Sequence, residues 1–82
     1  MEFEFGPHAR LRMRRRQIPE DVVYAIVGDC DERIDRRDGV TEYFGSWEGR
    51  DLFIALRWHD YDETVARVLT VVDTNTRRWR HR

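Results

Sequence analysis

Phe3 and Phe5 alternate with Glu2 and Glu4 at the start of the chain, a pattern that suits a short extended entry segment. Pro7 then stands where a helix can begin, because its fixed φ and missing N–H suit a first turn. Residues 8–17 contain no Gly, Pro or β-branched side chain and are rich in Arg, a good helix former. Pro19 opens a second helix, with Glu20 and Asp21 in the first turn, where carboxylates complement the positive dipole end. Val22 with Ile26 and Val23 with Val27 form two apolar rows of i,i+4 spacing, and Gly28 is a natural stop.

From Cys30 onward the period changes to two. Glu32–Arg37 reads as a polar strand closed by the turn signal Asp38-Gly39. Val40–Trp47 follows, then the turn Glu48-Gly49. Arg50–His59 puts Leu52, Ile54, Leu56 and Trp58 on one face, with Phe53 and Ala55 on the other. Thr64–Asp73 carries a nearly continuous apolar run, as a strand covered on much of both faces does. Short turns between consecutive strands imply an antiparallel meander. The expected class is α+β in the order ααββββ: two N-terminal helices packed on one face of a four-stranded antiparallel sheet. Residues 1–73 form one domain in this reading, and 74–82 an Arg/Trp-rich tail.

Composition narrows the class further. At 82 residues there is room for one domain with a small core, burying only ~60% of the unfolded chain's surface. Three Trp, three Tyr, four Phe and 40% apolar content are too much for a disordered chain. A single cysteine, Cys30, excludes an internal disulfide framework and a Cys-based zinc site, and fits a reducing compartment. His59 and His81 share no metal-ligand spacing with His8 or Cys30, so no metal or other cofactor is expected. No apolar run nears the ~20 residues of a membrane helix, and the acidic, aromatic N-terminus is unlike a signal peptide. The cytoplasm is the expected location.

The net charge of −1 gives no global reason to expect nucleic-acid binding. Its distribution is uneven, however. Residues 1–18 carry five Arg against two acids, residues 19–63 five Arg against thirteen, and residues 64–82 five Arg against one. The basic ends either meet in space as a groove or neutralise the acidic middle through surface ion pairs. Every cationic side chain is Arg, each with a planar fork suited to carboxylate or phosphate.

His8, Arg12 and Arg16 lie four apart and form one stripe on a helix turning ~100° per residue. Ala9 and Met13 beside them are the best candidates for the face on the sheet, while Arg10, Arg14 and Arg15 read as solvated charge. An imidazole beside two guanidiniums suits metal-independent cleavage of RNA, in which a 2′-OH attacks the neighbouring phosphate. His can take or give a proton near neutral pH, and guanidinium forks stabilise charge gathering on phosphate oxygens. The alternative is that His8 packs at a helix start while the arginines pair with acids. Thr70 joins the trio if it faces the helices. Arg67, Arg57 and Tyr43 are candidate substrate-binding residues, as is Trp79, interleaved with arginines in the tail. Each also has an ordinary reading as packing or surface charge.

The run His8-Ala9-Arg10-Leu11-Arg12-Met13-Arg14-Arg15-Arg16-Gln17-Ile18 resembles the opening of a family of small bacterial domains of unknown function. That family typically begins His-Ala-x-x-Arg-Met-x-x-Arg-x-Ile, continues with Glu-Asp-Val in a second helix, here Glu20-Asp21-Val22, and ends in a Thr-Val strand, here Thr70-Val71. The resemblance covers roughly residues 5–73. The family is similar to the RelE-like and barnase–colicin group of metal-independent ribonucleases. It therefore implies a RelE-like fold, a toxin-type endoribonuclease, RNA (including ribosome-bound mRNA) as partner, a protein antitoxin, and an active region at His8, Arg12, Arg16 and Thr70. Two alternatives remain. One is a non-catalytic interaction domain of a toxin–antitoxin-like or mobile-element system, with the stripe as an ion-pair network and Glu32–Arg37 as a pairing edge. The other is single-strand binding by the tail.

Overall fold

The computed structural model describes residues 1–74. Its elements are β1 (Glu2–Phe5), α1 (Pro7–Arg16), α2 (Glu20–Gly28), β2 (Glu32–Asp35), β3 (Val40–Trp47), β4 (Arg50–Trp58) and β5 (Val65–Thr74). The α+β class and the meander β2–β3–β4–β5 are as expected. The sheet, however, has five strands in the order β1-β5-β4-β3-β2, and it is mixed. The entry segment is itself a strand, running parallel to β5 with Phe3 opposite Ala66 and Phe5 opposite Val68. Four residues that pair with a strand some sixty positions away leave no local signal beyond their alternation, so the expected four-stranded sheet lacked its outer member. No helix of the described residues is long and apolar enough to cross a membrane.

Both helices cover one face of the sheet, α1 packing mainly on β5 and α2 on β3. Ala9 and Met13 of α1 are buried, as are Val22, Val23 and Ile26 of α2. They meet Tyr43, Leu52, Ile54, Leu56, Ala66, Val68 and Val71 from the sheet. Gly45 is what lets α2 approach so closely, since a Cβ there would lie 3.0 Å from Ile26 Cγ2. Phe3 stacks on Tyr24 at a centroid distance of 4.3 Å, and its N–H donates to Tyr24 Oη at 2.9 Å, which ties β1 to α2. The β3–β4 turn places Glu48 and Gly49 at φ 50° and 77°, the two positive values of a type I′ hairpin.

β5 does not alternate evenly. Ala55 pairs with Thr70 but Leu56 with Val68, so Leu69 is an extra residue in a β-bulge. The bulge shifts the alternation by one. Ala66 and Val68 face the helices before it; Val71 and Asp73 face them after it. Thr70, opposite Ala55, is turned to the far face of the sheet.

Helix α1 ends with Gln17 in the left-handed region (φ 56°, ψ 50°). The Gln17 N–H bonds the Arg14 carbonyl, the Ile18 N–H bonds the Met13 carbonyl, and Ile18 is buried. This is the αL helix stop that glycine usually supplies. A side chain in that conformation costs roughly 1–2 kcal/mol, partly offset by glycine's larger entropy when unfolded. Gln17→Gly is therefore expected to raise the free energy of unfolding by about 0.5–1 kcal/mol, measured by urea titration. At the entry to β5, Asp62 Oδ1 accepts from both the N–H and the hydroxyl of Thr64, at 3.0 and 2.6 Å. These bonds hold the Asp62 carboxyl below the usual carboxylate range. A depressed folded-state pKa means stabilisation that is present above the ordinary carboxylate range and lost as pH falls through it. The melting temperatures of wild type and Asp62→Ala should thus differ at neutral pH and converge in acid.

Candidate functional site

The first helix presents its basic residues along the edge of the covered layer. Ala9 and Met13 turn toward β5, and the residues beside them line an open hollow of about 390 Å³, bordered by His8, Leu11, Arg12, Arg15 and Arg16. His8 is exposed, and Arg12 is half-buried against it. Arg12 Nε donates to His8 Nε2 at 2.9 Å. A guanidinium can only donate, so Nε2 carries the lone pair and the ring proton lies on Nδ1. Among the described residues, Arg12 and Arg15 pair with no carboxylate.

Arg16 is arranged differently. Its Nη1 lies 2.7 Å from Asp73 Oδ1, while Arg50 Nη1 lies 3.1 Å from Asp73 Oδ2 and also donates to the Arg16 carbonyl at 2.8 Å. Asp73 is only 12% exposed in its side chain and Arg50 28%. Two guanidiniums share one partly buried carboxylate, and one of them also caps the end of α1. The network sews the last turn of α1 to β4 and β5. Arg16 is thus a neighbour of the hollow whose charge is already matched, as the ion-pair alternative expected of it.

The remaining candidates are dispersed. Thr70 lies beyond the bulge on the opposite face of the sheet and cannot reach His8, which corrects its place in the expected site. Tyr43 is 1% exposed; its hydroxyl accepts from Trp58 Nε1 at 3.3 Å and its ring lies under the Arg33 guanidinium, so it offers no face to a base. Arg57 donates to the Asp38 carbonyl and braces the β2–β3 turn. Arg67 reaches Gly6 at the start of α1, where a Cβ would stand 3.2 Å from its Nη2. Trp79 lies outside the described residues.

Two of the arginines read as solvated charge are exposed and also have particular neighbours. Arg15 lines the hollow. Arg10 pairs with Glu20 at 2.7 Å and sits over the Phe5 ring. Leu11, which the sequence pattern does not mark, supplies apolar wall to the hollow and is among the few large exposed hydrophobics. Its spacing of three and four from His8 and Arg15 is the signal that would have included both. Comparison with protein-family models finds no match, and searches of curated proteins and of solved structures return none either.

The Asp73 network makes a stability prediction. Removing the carboxylate leaves Arg50 partly buried without its counter-ion, and hydrogen bonds to charged groups contribute about 1.5–3 kcal/mol. Asp73→Ala is expected to lower the unfolding free energy by about 2 kcal/mol. Arg50→Ala should cost a similar amount, and the double variant clearly less than both together. Chemical denaturation of the three proteins checks this.

Proposed function

We propose that this domain is a metal-independent endoribonuclease of the toxin type, with the hollow on α1 as its phosphodiester site. Arg12 and Arg15 hold the phosphate oxygens, Leu11 lies against a sugar or base, and His8 acts as general base. When phosphate arrives, Arg12 exchanges its bond to His8 for one to a phosphate oxygen, which frees Nε2. That nitrogen takes the proton of the 2′-OH as the oxygen attacks phosphorus. The bond from phosphorus to the 5′-oxygen breaks, a 2′,3′-cyclic phosphate forms, and water protonates the departing oxygen. Arg16, held by Asp73, positions the helix and adds field without contacting substrate. Thr70 has no part. The resemblance of the opening motif to that of small bacterial domains similar to the RelE-like ribonuclease group supports this reading, and a protein antitoxin would act by covering the same hollow.

The observation that carries the proposal is the Arg12–His8 hydrogen bond at an open hollow with no carboxylate among its described lining residues. Such a pair is solvated basic charge with a proton acceptor at its centre, and a phosphate can replace water there. A second reading rests on Arg16–Asp73–Arg50: the stripe belongs to the scaffold, and the domain binds protein without catalysis.

Wild type, His8→Ala and Arg12→Ala, incubated in EDTA with structured and ribosome-bound RNA, distinguish the two. The catalytic reading expects cyclic-phosphate products from wild type. It also expects a loss on the order of 10²-fold or more in each variant, the scale of general-base catalysis and of oxyanion stabilisation. Equal cleavage by wild type and His8→Ala, or none by any protein, rejects it in favour of the scaffold reading.

A further inference from the structure

Both helices lie on one face of the sheet, and the other face carries an apolar row of its own. Tyr43, Leu52, Ile54 and Val71 point to the helices, so their chain neighbours Phe44, Phe53 and Val72 point away. The registers set these three side by side: Phe44 opposite Phe53, and Phe53 opposite Val72, with Glu32 of β2 beyond Phe44. The two phenyl rings are 5.2 Å apart. Ala55, in the next row, widens the apolar area. An antiparallel sheet with one solvated face alternates apolar inside with polar outside. Strands β3, β4 and β5 all depart from that rule in the same row. Among the described residues no helix or strand lies over it, yet Phe44 is 3% exposed and Ala55 7%.

The course of the chain supplies a cover. β5 ends at Thr74, two residues past Val72 and paired through its backbone with Asp51. Then follow Asn75-Thr76-Arg77-Arg78-Trp79-Arg80-His81-Arg82, with four arginines, one large aromatic ring and no acid. Neighbouring strands are ~4.8 Å apart, so Phe44 on β3 is ~10 Å across the sheet from β5. Trp79, five residues past Thr74, reaches up to ~16 Å from it. That is enough to lay an indole on the row. Charge favours the same path. Glu32 and Asp51 flank the row, whereas the two arginines of this face, Arg57 and Arg67, are paired at the far end of β4 and β5. A tethered segment is also present at an effective concentration on the order of mM, ahead of any separate partner.

We infer that this face is the docking surface of the chain's own C-terminal segment. Residues 75–82 cross the sheet from β5 toward β2, with the Trp79 indole on Phe44, Phe53 and Val72 and the arginines beside Glu32 and Asp51. The segment closes a second, smaller core and gives the Arg/Trp run a use other than gripping nucleic acid. The inference is independent of the RNA reading, because the hollow on α1 lies on the helical side of the sheet.

The full chain and three variants, Trp79→Ala, Trp79→Phe and Phe53→Ala, test it. Nuclear Overhauser contacts are expected between the Trp79 indole and the ring protons of Phe44 and Phe53, the indole signals being assigned by their loss in Trp79→Phe. In urea titration Trp79→Ala should raise the unfolding equilibrium constant about tenfold or more, the scale of uncovering a large aromatic contact. Its binding of a hydrophobic dye should rise, and Trp79→Phe should recover part of both losses. Combining Trp79→Ala with Phe53→Ala should cost less than the two effects added, because both remove one contact. Indole signals without those contacts, or a urea midpoint that Trp79→Ala leaves unchanged, overturn the inference. So does a second copy on this face, seen in sedimentation as a concentration-dependent dimer that Phe53→Ala dissolves and Trp79→Ala leaves intact.

Discussion

A single extra residue in β5 organises the helical side of this protein. With Leu69 bulged out, Val71 enters the core and Asp73 turns toward the end of α1. Had the strand kept strict alternation from Ala66 and Val68, Thr70 would occupy the helix face and Asp73 the opposite one. The carboxylate that neutralises Arg16 and Arg50 would then be out of their reach, and the last turn of α1 would lose its tie to the sheet. One unpaired position thus sets the core, an ion-pair network and the composition of the hollow together.

The other end of α1 is held by hydrophobic contact. β1 closes the sheet beside β5, and Phe3 is clasped by Tyr24, Phe5 and Trp58, with its own N–H on the tyrosine hydroxyl. Glu4 meets His59 across the sheet at 3.1 Å. Since only Gly6 separates β1 from α1, fixing the strand fixes where the helix starts and which way its stripe points. Packing sets the N-terminal end of the helix and electrostatics the C-terminal end. Between these anchors His8, Arg12 and Arg15 remain free of acidic partners among the described residues, and the functional proposal concerns these unanchored groups.

Much of this was legible from residue order. The helical spacing of Ala9 and Met13 identified the buried side of α1, and the valine rows did the same for α2, because a single-layer cover leaves apolar rows only one place to go. The turns at Asp38-Gly39 and Glu48-Gly49 were signalled by their glycines, which take positive φ freely, although Glu48 beside Gly49 also adopts a left-handed conformation that side chains seldom take. The stripe of His8 and Arg12 survives as a contact because residues four apart on a helix are neighbours whatever the helix packs on.

What chain order determined by itself was therefore local: where helices begin and stop, which of their sides is apolar, and which turns connect the strands. What only the tertiary structure decided was non-local. It added the parallel partner of β5, the phase shift at Leu69, the burial of Tyr43, the diversion of Arg57 to a turn, and the claim of Asp73 on Arg16. The physical reason is that period and propensity act over one or two turns of chain. The face a strand residue occupies beyond a bulge, and the acid an arginine finds, depend on registers between segments tens of residues apart.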